Sequence, residues 1–378
     1  MDPLNRLKML SSQMHLEPAE DALCPQHDHM DEVYLSKAVL PNGQRISLLK
    51  TLQTSVCERD CYYCPFRAGR DFHRTSLKPE VMASLFMEIH RAGAVDGIFL
   101  SSGIVAGGMY TQDKIIATAE ILRHKLGYRG YMHLKIMPGA ERAQVVRTMQ
   151  LADRVSVNLE APNTKRLSKL APLKEFTQEL IQPLRWVHEI RQNSSPRDAW
   201  KGSWPSSVTQ FVVGGSGETD VELLSTTDYL YRQLRLSRTY FSPFSPVEDT
   251  PLENLPPTPL VRQHRLYQSS YLLRDYDFDL EELPFNQSGN LPTNIDPKLA
   301  WANSNLSEQP IDLNFADRRD LLRVPGIGPK SANAILKARR ISRLHEIGDL
   351  IRIGVNPKRA APFILLDGHR PAYQMTLL

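Results

Sequence analysis

Six short apolar segments alternate with amphipathic helical patterns through the first 275 of the 378 residues. The segments have the length of β-strands. They are Ile46–Leu52, Gly97–Ser101, Tyr131–Ile136, Arg154–Leu159, Val208–Val213 and Thr239–Phe241. Between them lie runs such as Pro79–Arg91, in which apolar residues recur at helical spacing. A series of βα units predicts a parallel sheet with right-handed crossovers. We therefore expect an α/β fold that closes into a partial (βα)6 barrel, with ligands at the carboxyl ends of the strands.

The composition is that of a globular protein with two or three domains. Apolar residues make up 41% of the chain and charged residues 23%. No apolar run reaches the roughly 18 residues that span a bilayer, so we expect no membrane partner. The start of the chain, Met1–Arg6, lacks the apolar core of a signal peptide. Three of the four cysteines are clustered, which is not a disulfide framework, so we expect a reducing, cytoplasmic location.

The clustered cysteines, Cys57, Cys61 and Cys64, follow the first predicted strand with the spacing C-x3-C-x2-C. This spacing supplies three thiolates to an iron–sulfur cube. A purely structural cluster takes four, so one iron would stay open to another ligand. The alternative is a zinc site with His73 or Cys24 as fourth ligand. Zinc ligands usually come as separated cysteine pairs, so the spacing favours the cluster. Cys24 is then an idle thiol.

The cysteine motif resembles the signature of the radical S-adenosylmethionine (radical SAM) enzymes, including the aromatic Tyr63 before the last cysteine. The resemblance implies a [4Fe-4S] cluster whose open iron binds the amino and carboxylate groups of S-adenosylmethionine. It also implies that the reduced cluster splits the sulfonium, giving a 5′-deoxyadenosyl radical that takes a hydrogen atom from the substrate. An electron donor is then a necessary partner.

A second segment of the same resemblance follows the second predicted strand, at Ser101, Ser102 and Gly103. Radical SAM enzymes often have Gly-Gly-Glu at this position, and its backbone and carboxylate hold the methionyl amino group. Here the glutamate is missing. The resemblance implies that the backbone keeps its role and that the carboxylate role passes to Glu160.

A third segment, Phe211–Glu218, follows the fifth predicted strand and resembles the family pattern G-x-I-x-G-x-x-E. Val213, Gly215 and Glu218 match the pattern, whereas Phe211 replaces its first glycine. Glycines after a strand let the backbone approach a ligand and leave N–H groups free, which suits adenine binding. We therefore expect Val213, Gly215 and Glu218 to bind the cofactor.

Two strands carry alternating polar residues. In the strand before Glu160, alternation puts Asn158 and Glu160 on one face, and in the third strand it puts His133 and Lys135 on one face. Helices cover the outside of such a sheet, so we expect these polar faces to point into the barrel. Lys135, Asn158 and Glu160, which lie nearest the strand ends, are candidate cofactor ligands. A solvated edge strand is the alternative.

Basic residues follow the cysteine motif and the fourth strand on the same face of the predicted barrel. They could hold substrate phosphates or form solvated loops, and both interpretations stay open. These residues are Arg67, Arg70, Arg74, Lys165, Arg166, Lys169 and Lys174.

The chain changes composition after the predicted barrel. Residues 1–45 form an N-terminal extension and residues 46–280 the barrel. Residues 281–310 are rich in Asn, Pro and Ser, which predicts a linker. Residues 311–378 contain 12 lysines and arginines against 6 acidic residues, a balance of +6. This last segment is the candidate nucleic-acid module.

The module contains a sequence, 314–337, that resembles a helix-hairpin-helix motif. A first helix is predicted to end near Val324, and a second to start near Pro329. The turn between them has glycines that turn consecutive N–H groups toward an anion, with an apolar residue between the helices. A weaker copy at 350–360 predicts a second hairpin. The candidate DNA-binding residues are Gly326, Ile327, Gly328, Lys330, Ser331, Lys358 and Arg359.

Taken through both domains, the chain resembles a family of radical SAM proteins assigned to DNA modification or repair and associated with uracil-DNA-glycosylase-like partners. The resemblance implies an enzyme that acts on DNA and binds the duplex backbone with little sequence preference. It assigns neither the reaction nor any catalytic residue. Two alternatives remain: radical modification of RNA or tRNA, and a non-catalytic iron–sulfur DNA-binding sensor or scaffold for a glycosylase-like partner.

Overall fold

A computed structural model describes residues 2–12, 14, 28–30, 33–39 and 43–372. Cys24 lies outside the described residues. The chain divides into two compact units. The first unit comprises Met1–Glu218 and Tyr229–Pro259, and the second comprises Thr219–Asp228 and Leu260–Leu378.

The first unit is built on one eight-stranded sheet whose strand order follows the chain. The first three strands pair antiparallel, and the third to eighth strands pair parallel. Among the described residues, the first and last strands of this order do not pair with each other, so the sheet is open. The third to eighth strands are the six parallel strands, and the predicted α/β partial barrel is confirmed. The strands are β1 Asp28–Met30, β2 Val33–Val39, β3 Arg45–Leu52, β4 Gly97–Ser101, β5 Tyr131–Lys135, β6 Arg154–Ser156, β7 Ser206–Val213 and β8 Arg238–Pro243.

Helices connect the parallel strands, as βα units require. The predicted helix Pro79–Arg91 is present with these bounds. It has proline in its first turn and buries Met82, Phe86 and Met87 on one face. The helices of this part of the chain are α1 Pro3–Ser12, α2 Pro79–Arg91, α3 Gly107–Glu120, α4 Arg142–Leu151, α5 Thr164–Leu167, α6 Gln182–Asn193 and α7 Asp220–Gln233. A π-helical stretch, Ile121–Lys125, follows α3, and another, Phe176–Ile181, precedes α6.

The strand pairing is interrupted beside Glu160. Strand β6 pairs with β7 as far as Ser156 opposite Val208, and a separate bridge then pairs Glu160 with Phe211. Residues 157–160 after β6 therefore lie opposite residues 209–211 of β7. One extra residue on one of two paired strands is a β-bulge. Glu160 has φ of 64°. The predicted strand 154–159 consequently ends early, and the bulge aims the Glu160 side chain.

The second unit is mainly helical. Its helices are α8 Leu260–Asp275, α9 Pro297–Asn305, α10 Arg318–Arg323, α11 Pro329–Ala338 and α12 Ile347–Arg352. Two short parallel strands, β9 Ile311–Asp312 and β10 Ile364–Leu365, pair across it. Segment 281–310, expected to be a linker, contributes Ala302 and Leu306 to the same apolar core as Leu321, Ile335 and Leu350. Its polar composition obscures the apolar face of α9.

Among the described residues, none of the helices has the length and apolar character needed to span a membrane.

Candidate active site and nucleic-acid interface

One cavity of the first unit collects most of the residues predicted to bind the cluster and the cofactor. It has an open volume of about 1120 Å³ and lies at the carboxyl ends of the parallel strands. Its lining includes the three clustered cysteines. It also includes seven of the predicted cofactor residues, namely Tyr63, Ser101, Ser102, Gly103, Lys135, Asn158 and Glu160. Residues distant in sequence thus meet where the topology predicts a ligand.

The cysteine loop is held from both sides by backbone hydrogen bonds. The Glu58 N–H donates to the Ile104 carbonyl at 2.8 Å, and the Tyr62 N–H donates to the Leu170 carbonyl at 2.7 Å. The Arg74 guanidinium donates to four backbone carbonyls, those of Ser55, Phe66, Arg67 and Arg70. These bonds preorganise the loop around its three thiols.

The environment of the thiols fits an iron–sulfur cluster. The three cysteines are free, and the Ile104 N–H donates to Cys57 Sγ at 3.4 Å. Hydrogen bonds to sulfur are a standard feature of such sites. Burial raises the pKa of Cys61 to about 11 and also raises the pKa of Cys64. A metal would make these two thiols thiolates, since a bound metal deprotonates a coordinating thiol.

The zinc alternative finds less support in the geometry. His73 is exposed and is not part of the cavity lining. Among the described residues, no group of three or more His, Cys, Asp or Glu side chains is placed to hold a metal ion. A cube-type cluster binds each thiolate at a different iron, so its ligands need not converge on one point.

A buried ion pair stands next to the thiols. Lys174 Nζ donates to Glu160 Oε1 at 3.0 Å, and the two side chains are only 9% and 6% exposed. Burial by itself would raise the pKa of Glu160, but Lys174 and Lys135 lower it below its usual value. Glu160 is therefore a carboxylate. Burial and the Glu160 charge raise the pKa of Tyr63, whose hydroxyl stays protonated.

Lys135 is the second buried ammonium of the cavity. Burial lowers its pKa to about 7, although Glu160 opposes this shift and Lys174 adds to it. Its neighbour on the strand, His133, is also buried and meets Ser156 Oγ at 2.9 Å. The polar faces predicted for β5 and for the segment ending at Glu160 therefore lie inside the barrel.

Gly103 brings the end of β4 against the cysteine loop. A Cβ atom at this position would lie 2.2 Å from the Val56 carbonyl oxygen and 3.2 Å from Cys57 Cβ. The Gly103 N–H donates to the Thr54 carbonyl at 2.8 Å. Only glycine allows this approach, and the role of the Ser-Ser-Gly backbone toward the cofactor stays a prediction.

Three predicted cofactor residues, Val213, Gly215 and Glu218, are not part of the cavity lining. The Glu218 carboxylate accepts hydrogen bonds from the N–H groups of Gly214 and Ser216, at 2.5 and 3.2 Å. A Cβ at Gly215 would lie 2.8 Å from Leu170 Cδ2. Glu218 and Gly215 thus shape the turn after β7, and their role toward adenine stays a prediction.

Two lining residues escaped the sequence interpretation of the site. Gln210 is buried, and its Oε1 has no hydrogen-bond partner among the described residues. The signal was a single amide in the apolar strand Val208–Val213. Lys174 was noted only as one of several basic loop residues. Of those, Arg70 and Arg74 donate to backbone carbonyls, so their guanidinium groups are engaged within the protein.

The first predicted hairpin is present in the second unit. Helix α10 ends at Arg323, α11 begins at Pro329, and Ile327 between them is fully buried, as predicted. Lys330 is exposed and Ser331 partly exposed in the first turn of α11. The start of α11 therefore presents N–H groups and a positive charge together.

The second hairpin lies directly beside the first. Gly326 has φ of 85°, and a Cβ there would lie 3.1 Å from Arg359 Cβ. After α12 the chain continues in the 3-10 helices Pro357–Arg359 and Ala361–Phe363, where a full second hairpin would have an α-helix. Lys358 is exposed on this turn. The turn of the first hairpin and the turn predicted from the weaker copy at 350–360 are thus adjacent.

The positive charge of this unit is only partly available to a partner. Arg319 and Arg323 are paired with Glu282, and Arg343 is paired with Asp367. Arg359 lies 3.6 Å from Asp296. By contrast, Lys330 and Lys358 are exposed and make no salt bridge in the described part of the chain. Each of the two hairpin turns therefore carries an exposed positive charge that no carboxylate compensates.

Comparison with family models agrees with both sites. The model of the radical SAM superfamily matches residues 52–230, and that of the helix-hairpin-helix motif matches residues 310–338. A radical SAM domain and a helix-hairpin-helix motif are therefore present. This domain class uses a [4Fe-4S] cluster and S-adenosylmethionine, and the motif indicates nucleic-acid binding. No curated protein matches the chain.

Similar solved structures include methylornithine synthase, with 15% identity, a TM-score of 0.46, and coverage of 60% of this chain and 61% of the other. The FeFe-hydrogenase maturase HydG from Carboxydothermus hydrogenoformans has 12% identity, a TM-score of 0.46, and coverage of 60% and 51%. The radical S-adenosylmethionine methyltransferase TsrM from Kitasatospora setae has 13% identity, a TM-score of 0.38, and coverage of 54% and 35%. The chain thus spans less than two thirds of the length of each of these proteins.

Proposed function

We propose that this protein is a radical SAM enzyme that modifies or repairs DNA and binds the duplex backbone through its paired hairpins. One observation carries the enzymatic part. Three free thiols, a buried carboxylate and a glycine edge, from separate parts of the chain, line one cavity at the carboxyl ends of a parallel sheet. The helix-hairpin-helix match supports the choice of nucleic acid.

The cluster and S-adenosylmethionine, when bound, supply a 5′-deoxyadenosyl radical that takes a hydrogen atom from the substrate. The residues of the chain hold and shield this chemistry. Cys57, Cys61 and Cys64 hold the cluster. In this proposal the Glu160 carboxylate would accept hydrogen bonds from the amino group of the cofactor, and Lys135 would offer an ammonium group to its carboxylate. The apolar lining, which includes Phe66, Phe244 and Val247, excludes water from a reactive intermediate.

The second unit is proposed to bind duplex DNA through phosphates. Phosphates are the same at every position, so sequence preference is small and affinity falls steeply with salt. An electron donor and a uracil-DNA-glycosylase-like protein are the further partners that the family resemblance implies. The three unpaired cysteines suit a reducing, cytoplasmic compartment.

The cofactor part is tested on protein purified without oxygen. We expect a brown protein with about four irons per chain. With a strong reductant it should convert S-adenosylmethionine to 5′-deoxyadenosine and methionine, slowly without substrate. Stoichiometric zinc without iron after anaerobic reconstitution would contradict the proposal. An intact, reducible cluster that never cleaves the cofactor would favour the sensor interpretation.

The substrate part is tested in cells. Nucleosides from a deletion strain and from its parent are compared by mass spectrometry, separately for DNA and RNA. We expect one nucleoside of the DNA fraction to change in amount. A change confined to RNA would replace DNA with RNA or tRNA as the substrate.

A further inference from the structure

The second unit contains a cavity beside the first hairpin turn. Its open volume is about 640 Å³. One side is formed by the turn Pro325–Gly328 and by Arg359 of the second hairpin. The other side comes from segment 260–298, which lies outside the helix-hairpin-helix match at 310–338. This other side consists of Gln268, Tyr271, Leu272, Tyr276, Asp296 and Lys298.

Lys298 is a buried cation in this wall. The residue is only 9% exposed, and its Nζ donates to the Ile327 carbonyl at 2.6 Å. The ammonium lies 4.5 Å from the centre of the Tyr276 ring. Among the described residues Lys298 makes no salt bridge, and Asp296, the carboxylate of the lining, lies 3.6 Å from Arg359. A buried ammonium that makes no salt bridge is costly, so an anion that enters the cavity would be stabilised beside Lys298.

The surroundings of Lys298 have a net positive charge. Lys298 and Arg359 are cationic, whereas Asp296 is the one carboxylate of the lining. Asp296 is already engaged, because it accepts from the Leu299 N–H at 2.9 Å and from Gln268 Nε2 at 2.8 Å and lies 3.6 Å from Arg359. The lining therefore keeps one positive charge in excess. Burial lowers the pKa of Lys298 to about 7, Asp296 opposes the shift, and Arg359 adds to it. A bound anion would relieve this strain on the ammonium.

The hairpin contributes the remaining parts of an anion site. The ten-residue helix α11 begins at Pro329, which has no N–H, so the N–H groups of Lys330 and Ser331, just after the lining residue Gly328, have no partners within the helix. Gly328 caps this helix and lies beside Tyr276, since a Cβ at Gly328 would be 3.1 Å from the Tyr276 hydroxyl. A donor from segment 260–298 therefore stands directly over the turn.

We propose that this cavity binds a phosphate group of nucleic acid, with Lys298 and Tyr276 completing a site that the hairpin turn forms only in part. The inference rests on the proposed nucleic-acid function of the second unit and deepens it. The phosphate is either an internal phosphodiester that passes over the turn or a terminal monoester that enters the cavity. Segment 260–310 then belongs to the binding module.

The test measures binding of the full-length protein to fluorescent DNA. Three ligands are compared: a duplex with 5′-phosphates, the same duplex with 5′-hydroxyls, and a closed circle. Lys298→Met removes the charge and keeps an unbranched side chain of similar length. We expect it to weaken binding about tenfold and to make the slope of log affinity against log salt shallower by about 1. Loss on the circle identifies an internal phosphate, whereas loss confined to the 5′-phosphorylated duplex identifies a terminal one.

Two further variants separate binding from folding. Lys337→Met is the matched control, because it removes an equal charge from the far end of α11 and should change affinity at most about twofold. Tyr276→Phe keeps the packing, removes one donor and should weaken binding a few fold. Lys298→Met should not lower the thermal midpoint of unfolding, since it removes an uncompensated buried charge. A merely structural lysine would lower it.

The failure of this inference differs from the failure of the proposed function. If Lys298→Met and Tyr276→Phe bind all three ligands like the unaltered protein, while Lys330→Glu still weakens binding, the cavity holds no phosphate and the hairpins still bind DNA. If Lys330→Glu has no effect either, nucleic-acid binding by this unit is itself wrong.

Discussion

At the cavity of the first unit the charged side chains are buried and paired with one another, whereas at the hairpin turns of the second unit they are exposed. Glu160 Oε1 and Lys174 Nζ form a buried ion pair. Lys330 and Lys358 face solvent without a carboxylate nearby among the described residues. Buried pairs act at short range in a low dielectric and fix one ligand in one orientation. Exposed charges attract any polyanion and are screened by salt.

The largest effect should come from the cysteines. Cys57→Ala, Cys61→Ala and Cys64→Ala each remove one of three cluster ligands, so each should lose the iron and all cofactor cleavage. Binding of duplex DNA should stay within about twofold of the unaltered protein, because the hairpins lie in the other unit. Iron content, visible absorption and anisotropy are measured on the same preparations. Cys24→Ala is the control and should retain the cluster. A cysteine variant that abolishes DNA binding would contradict the separation of the two regions.

The next effect concerns the buried carboxylate. Glu160→Gln keeps the size of the side chain and removes its charge, which leaves Lys174 buried without its counter-ion. We expect S-adenosylmethionine to bind about 10- to 100-fold more weakly, because a charged hydrogen bond and a buried pair are lost together. Iron content should not change. Calorimetric titration measures the affinity, and Glu175→Gln, which alters an exposed carboxylate nearby, is the matched control. Equal affinities in the two variants would remove Glu160 from the cofactor site.

A smaller effect is expected at the hairpins. Lys330→Glu places a carboxylate where a phosphate would bind and should weaken duplex binding about tenfold at low salt. The loss should be similar for unrelated DNA sequences. The slope of log affinity against log salt, about −0.9 per phosphate engaged, should become shallower by about 1 to 2. Cofactor cleavage without DNA should be unaffected. A loss that depends on sequence would mean that the turn reads bases.

The sequence predicted the parallel sheet well, because strand length and helical periodicity are local signals. Five of the six strands agree with the prediction to within two residues at each end, and α2 has the predicted bounds. The cysteine motif also predicted its own place, since a loop after a parallel strand must lie at the carboxyl edge.

The parts that could not be predicted depend on contacts between distant residues. The bulge at Glu160 arises from its pairing with β7, and no local pattern announces it. Lys174 pairs with Glu160 across 14 residues of chain, so it looked like one more basic loop residue. Helix α9 lies in an Asn-, Pro- and Ser-rich segment, and only tertiary packing reveals that Ala302 belongs to a core.

The most direct test of the account measures 5′-deoxyadenosine formed by the reduced, cluster-containing protein with and without duplex DNA. We expect slow formation without nucleic acid, faster formation with duplex DNA than with structured RNA, and no formation by Cys61→Ala. Duplex DNA should raise the rate of 5′-deoxyadenosine formation less in Lys330→Glu than in the unaltered protein, because that variant alters only the hairpin turn that binds DNA. If an intact, reduced cluster forms no 5′-deoxyadenosine with any nucleic acid, the protein is not a radical SAM enzyme acting on DNA.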